Sequence, residues 1–275
     1  MRLVLVHGIN QESKTADIIR GEWIGALEGA LQKPGRFAAV TVDIPFFGTI
    51  LGDLAGAPTP ADVIAQGIGE DDEEREFVLS GLQQIALDAG VTDAQISTEQ
   101  AVAQGFPHDR RFIGIIRALE RVSPFQGDVA LRILKQAYAY LKRPHVALAV
   151  DAIVEPVLAS GPCVVVGHSL GSVVSFKLLR KLGQTVPLFV TVGSPLAIVS
   201  VQAALKRPRA VPKGVTRWMN AVDLDDFVTL GRGLTEETFA SGIENHTAVD
   251  NGDDAHAIVG YLQDPLVRQA IDGAV

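Results

Sequence analysis

The sequence predicts an α/β fold, a mostly parallel central sheet flanked by helices, on three observations. Short, continuous apolar runs rich in β-branched residues recur at 3–6, 162–167 and 187–193, the composition required of strands buried on both faces. Segments with apolar residues at helical spacing separate them. The two kinds of segment alternate along the chain, the order that builds parallel strands with crossover helices.

The first run, Leu3 to Val6, is stopped by His7-Gly8. From Ser13 the period changes, with Ile19, Trp23, Leu27 and Ala30 on one helical face and a stop at Lys33-Pro34-Gly35. Residues 38–48 read as a second strand followed by turn chemistry. After Gly52 the alternation breaks for about 90 residues, far longer than an ordinary connection. Residues 53–143 therefore read as a helical insertion within a single domain, 1–275. The stretch 52–63 is a loop by its Gly and Pro content, and 71–90, 110–122 and 128–143 read as helices. The helix at 145–161 belongs to the main layer and feeds the next strand. The apolar insertion residues Phe77, Leu82, Phe112, Ile115, Ile116 and Leu119 are expected to form the insertion's own core. The acidic run from Glu70 to Glu74 reads as a solvated helix start, because adjacent carboxylates on one turn do not converge on a metal ion. Alternation then resumes, with strands at 162–167, 187–193 and 215–221, a helix at 169–183, and a closing helix that begins in 253–264.

The chain has 275 residues, 47% of them hydrophobic, enough for a sizeable buried core. Its formal net charge of −8 argues against an electrostatic grip on nucleic acid or anionic lipid. The single cysteine, Cys163, sits in an apolar run and cannot form an internal disulfide or a thiolate metal site. The N-terminus enters a strand at once, without the apolar segment of a signal peptide. No apolar run approaches the ~18 residues of a membrane span. A cytoplasmic location is expected.

Gly167-His168-Ser169-Leu170-Gly171 matches G-x-S-x-G and lies where that pattern carries chemistry, after a strand and before a helix. The turn there is so sharp that its flanking positions tolerate almost no side chain, hence the glycines. It exposes a hydroxyl at the sheet's C-terminal edge and at a helix N-terminus, where developing negative charge is favoured. The plainer reading is a glycine-rich turn with a capping serine.

A serine hydroxyl needs a base, and the base needs an orienting acid, in the chain order Ser, Asp or Glu, His. Only His246 and His256 follow Ser169. His256 enters an apolar helix and is favoured, whereas His246 reads as a surface or loop-organising residue. Asp223, Asp225 and Asp226 follow the strand at 215–221; Asp226 is favoured as the acid and Asp223 is its alternative. An oxyanion hole needs two backbone amides. Leu170 would supply one, and Ile9 or Asn10 in the loop after the first strand the other. His7 and His168 read as supporting residues.

These segments, "LVLVHGIN", "VVVGHSLGSVVS", "FVTVGSPLA", "WMNAVDLDDFV" and "NHTAVDNGDDAHAIVGYL", resemble in order those of the α/β-hydrolase superfamily, in particular its lipase-like and GPI-deacylase-like serine esterases. The resemblance covers the first fifty or so residues and most of the chain after residue 150. It implies a Ser169, Asp226, His256 triad, a structural role for Ser194, and hydrolysis of a carboxylic ester through an acyl-enzyme. The substrate would be a small-molecule ester or lipid-like molecule, with no metal and no organic cofactor. The insertion would lie over the C-terminal edge of the sheet as a lid. The chain departs from the family in entering the sheet at an internal strand, so that the leading antiparallel strands are missing or reduced. An acyltransferase or thioesterase would use the same residues, and a ligand-binding protein could be built on the same scaffold.

Overall fold

The computed structural model describes residues 1–9, 11–55, 71–102, 110–122 and 126–275. Among them, six strands form one all-parallel sheet: β1 (Arg2–Val6), β2 (Thr41–Asp43), β3 (Cys163–His168), β4 (Val186–Val192), β5 (Val215–Asp223) and β6 (Glu244–Val249). Their order is β2-β1-β3-β4-β5-β6. The chain places β2 on one side of β1 and every later strand on the other. The order thus reverses between β1 and β3, and at such a switch point the loops leaving the two strands diverge and open a crevice.

Alternation along each strand divides the core into two layers. Leu3, Leu5, Val164, Val166, Val190 and Val192 face helix α1 (Ala16–Leu31) and the C-terminal helices α10 (Ile258–Gln263) and α11 (Pro265–Ala274). Val4, Val6, Val165, Phe189 and Trp218 face the opposite layer. That layer contains α7 (Pro144–Ala159), the helix feeding β3, and α8 (Leu170–Leu182), which leaves it. Helix α1 starts at Ala16, three residues after the change of period, because the Thr15 side chain caps it by accepting from the Ile18 amide.

The second strand is much shorter than the 38–48 reading. The chain before it is held by helices instead of the sheet: Phe37 N donates to Glu28 Oε1 at 2.9 Å, and Arg36 pairs with Asp272 on α11. Helix α2 (Gly48–Ala55) extends into the stretch read as a loop, with Phe47 and Leu51 buried; residues 56–63 of that loop lie outside the described residues. β6 carries no apolar run and owes its existence to its ladder with β5, which puts His246 on an edge strand instead of in a loop. There it bonds Asp264, the cap of α11, at 3.0 Å.

The insertion contributes α3 (Asp72–Asp88), α4 (Asp93–Val102), α5 (Arg110–Val122) and α6 (Gln126–Lys142). Its apolar residues do not form a core of their own. Phe77, Leu82, Phe112, Ile115, Ile116 and Leu119 belong to one continuous cluster with Val4, Val165 and Leu170 of the main layer. Helix α6 packs on α7 and α8, and α3 packs on the short helix α9 (Val199–Ala204) and on the turn after β5. The acidic run opens α3 in solvent at Asp71, Asp72 and Glu73, as read, and departs from that reading at Glu74. Asp71 caps α3 by accepting from Glu74 N, but the Glu74 side chain is only 2% exposed and pairs with Arg143 at 2.8 Å. Glu70 lies outside the described residues. No helix among the described residues is long and apolar enough to cross a membrane.

Candidate active site

Ser169 stands between β3 and α8 with φ 52° and ψ −127°, a conformation that a residue with a β-carbon rarely adopts. Two contacts hold it and a third secures one of its partners. Its amide donates to Val192 O at 3.0 Å, its carbonyl accepts from Ser172 Oγ at 2.6 Å, and Ser172 Oγ is 2.7 Å from Ser194 Oγ. Ser194 thus lies one side chain away from the turn it supports. The glycines are needed for space. A β-carbon at Gly167 would meet Ser172 Cα at 2.8 Å, and one at Gly171 would strike the carbonyls of Val6 and His7.

The loop after β1 closes over this turn, and a β-carbon at Gly8 would lie 3.1 Å from Ser169 Oγ. His7 anchors the loop. Its Nε2 accepts from Phe47 N at 3.0 Å, so its Nδ1–H donates to Gly8 O at 2.8 Å. Burial lowers its pKa to about 4, and the bond to Gly8 only partly opposes this. The ring is therefore neutral at pH 7. Ile9, also buried, follows Gly8 beside Ser169, and Leu170 opens α8, where an amide has no intrahelical acceptor. Asn10 lies outside the described residues.

His256 reaches the same point from the other end of the sheet. Its Nδ1–H donates to Asp226 Oδ2 at 2.9 Å, and its carbonyl accepts from His168 Nε2 at 2.9 Å. The His168 and His256 rings lie 4.8 Å apart, and burial holds the His168 pKa well below the usual imidazole range. Gly193, at the end of β4, makes room: a β-carbon there would lie 3.1 Å from His256 Cε1 and 3.2 Å from Asp226 Oδ2. Ser169 and Asp226 are 0% exposed and His256 is 8% exposed. Two buried atoms of this cluster, Ser169 Oγ and His256 Nε2, have no hydrogen-bond partner, and they do not bond each other.

The structure separates the two carboxylate candidates. Asp226 caps the turn after β5 by accepting from Val228 N at 3.0 Å through Oδ1, leaving Oδ2 for His256. Asp223 faces its own loop and that before His256, accepting from Asp225 N at 2.9 Å and Asn251 N at 2.7 Å. Burial raises its pKa, and the two backbone amides oppose this. Asp225 is exposed.

Tyr261 went unnoticed in the sequence, yet its hydroxyl donates to Asp226 Oδ2 at 2.8 Å. The available signal was a phenol within an apolar helical stretch five positions after His256, since a buried tyrosine hydroxyl requires a partner. Beside the Asp226 turn is a cavity of about 330 Å³, lined by Ile85, Asp88, Val122, Leu224 and Phe227 among others and not by Ser169 or His256. No three His, Cys, Asp or Glu side chains among the described residues are placed to hold a metal ion. Burial pushes the Cys163 thiol up to about 11, so it stays protonated.

No protein-family model matches the chain, and no curated protein or solved structure matches it.

Proposed function

We propose that this protein is a serine hydrolase of carboxylic esters with an α/β-hydrolase fold, in which Ser169 is the nucleophile, His256 the base and Asp226 the orienting acid. The observation that carries the reading is the pair of unpartnered buried atoms, Ser169 Oγ and His256 Nε2, the latter on a ring whose Nδ1 is committed to Asp226. With Nδ1 protonated, the lone pair of the neutral ring lies on Nε2, as general base catalysis requires. The strained backbone of Ser169 is the second support, since strain of this kind persists where the surrounding structure over-determines it.

In the proposed cycle His256 Nε2 takes the hydroxyl proton as Ser169 Oγ bonds to the ester carbonyl carbon. The carbonyl oxygen becomes an oxyanion held by the amides of Leu170 and of Ile9 or Asn10. Collapse breaks the bond to the alcohol oxygen, which receives the proton from His256 and leaves an acyl-Ser169 ester. Water, deprotonated by His256, attacks that ester; the second collapse frees the acid and returns the proton to Ser169. The helical insertion serves as a lid over the site, a role supported by the enclosure of Ser169 and by the packing of α3 on the turn that bears Asp226. The substrate is a small-molecule ester or a lipid-like one.

Hydrolysis of p-nitrophenyl esters from acetate to palmitate, wild type beside Ser169→Ala, tests this reading together with labelling by a fluorophosphonate. Turnover and labelling that vanish in the variant are expected. A folded wild type that neither turns over any ester nor accepts the label overturns the hydrolase and leaves a binding protein.

A further inference from the structure

We infer that Tyr261 is a positioning residue for this reaction, its hydroxyl holding Asp226 in place and moderating the basicity of His256. The inference rests on the proposed hydrolase reading. Tyr261 lies on α10, fully buried in the apolar layer that also holds Ile19 and Trp23 of α1. Its hydroxyl accepts from the Asp223 amide at 3.1 Å. A phenol has one hydrogen, and the amide fills its acceptor side, so that hydrogen points to Asp226 Oδ2 at 2.8 Å. Burial and the neighbouring Asp226 charge raise the phenol pKa far above its usual value, so the group stays a donor wherever the protein is folded.

The Asp226 carboxylate thus receives three hydrogen bonds from the described residues: Val228 N on Oδ1, and Tyr261 and His256 together on Oδ2. Its own turn holds one oxygen and the chain around α10 holds the other, which fixes the orientation of the carboxylate. The three donors also share its charge. The positive end of the phenol dipole sits beside the oxygen that faces the imidazole, which lessens the stabilisation an imidazolium gains there. Removing the phenolic hydrogen leaves Oδ2 to His256 alone, so the ring becomes more basic while its orienting carboxylate becomes less constrained.

Of the other titratable groups around the pair, Asp223 is tied to Tyr261 through its amide, which loses its acceptor in a phenylalanine variant and keeps it in a tyrosine analogue. His168, at the end of β3, donates to the His256 carbonyl, and His7, on the loop after β1, donates to Gly8. Asp223 is bonded by two backbone amides, while Asp225, Asp250, Asp253 and Asp254 on the adjoining loops are exposed. A pH profile displaced one way by phenylalanine and the other way by a more acidic phenol, which keeps the Asp223 amide bonded, is therefore attributable to the hydrogen bond on Asp226.

The test uses the full chain and the p-nitrophenyl ester the wild type prefers, with kcat and KM followed from about pH 5 to 9. Tyr261→Phe is expected to raise the acidic-limb pKa of kcat/KM by about half a unit and to lower kcat about fivefold, with KM within about twofold. A 3-fluorotyrosine at position 261, a more acidic phenol of nearly equal volume, keeps the fold and is expected to move the limb downward. In the wild type the His256 Nδ1 proton should appear far downfield by NMR and shift in both variants. Unchanged limbs and an unmoved proton signal, in proteins that still need Ser169 for turnover, overturn the role of Tyr261 alone. A wild type without Ser169-dependent turnover overturns the hydrolase reading and this inference with it.

Discussion

A β-carbon built on Gly8 would stand 2.5 Å from the β-carbon of Ser169, so the loop after β1 and the turn after β3 meet with no room for a side chain between them. The same loop carries Ile9, one of the proposed oxyanion donors. Gly8→Ala must therefore push the loop away from Ser169, and overpacking of this kind costs about 1–3 kcal/mol. Urea unfolding should show that loss. Fluorophosphonate labelling should slow by about tenfold or more if the oxyanion donors move with the loop.

Ser169 at φ 52° is strained in a way that glycine would not be. Ser169→Gly should be more stable than Ser169→Ala, by about 1 kcal/mol, although both lack the hydroxyl. Denaturant midpoints of the two variants check this directly. Equal midpoints would mean that the turn relaxes in the alanine protein.

Buried His7, with its pKa lowered to about 4, makes stability depend on pH. The unfolded chain takes up the His7 proton below its ordinary value of about 6.5, while the folded chain refuses it until about 4. Between those limits the unfolded state binds more protons, so stability is complete above about pH 6.5 and falls as pH drops towards 4. His168 adds in the same direction. The His7 share approaches about 3 kcal/mol at most. Urea unfolding at a series of pH values should give a slope of this sign, and His7→Gln should flatten it.

Two neighbouring glutamates on α3 should behave differently. Glu74, 2% exposed, pairs with Arg143, whereas Glu73 meets Lys142 at 2.7 Å in solvent. Glu74→Ala removes the buried carboxylate that half-buried Arg143 and buried Lys135 face and should cost about 3 kcal/mol. Glu73→Ala should cost under about 1 kcal/mol. Thermal unfolding of the two proteins makes the comparison, and similar losses would show that burial does not decide the outcome.

Local pattern carried much of this protein. The apolar runs around β1, β3 and β4 are legible because a strand covered on both faces tolerates only side chains that lose nothing on leaving water. The turn at Ser169 is legible because steric exclusion at Gly167 and Gly171 leaves a signature in residue type. Local signals were also present where they went unread: Thr92 and Gln95 cap α4 reciprocally, with Thr92 N donating to Gln95 Oε1 at 2.8 Å and Gln95 N to Thr92 Oγ1 at 3.3 Å.

Other features arise between segments distant in the chain, where no local pattern records them. β6 is a strand because β5 offers it a ladder, and Glu74 is buried because α6 packs on α3 and brings Lys135 and the following Arg143 to it. The described residues of 71–142 share the core of the main layer because α6 packs on α7 and α8 and α3 packs on α9 and on the turn after β5. Asp223 and Asp226 are alike in residue type and three positions apart; only the turn after β5 directs one carboxylate to His256 and the other to its own loop. Tyr261 joins them through a single hydrogen whose direction depends on an amide 38 residues earlier in the chain. Residue type records what each position must exclude or bury, whereas direction and partnership are set by packing.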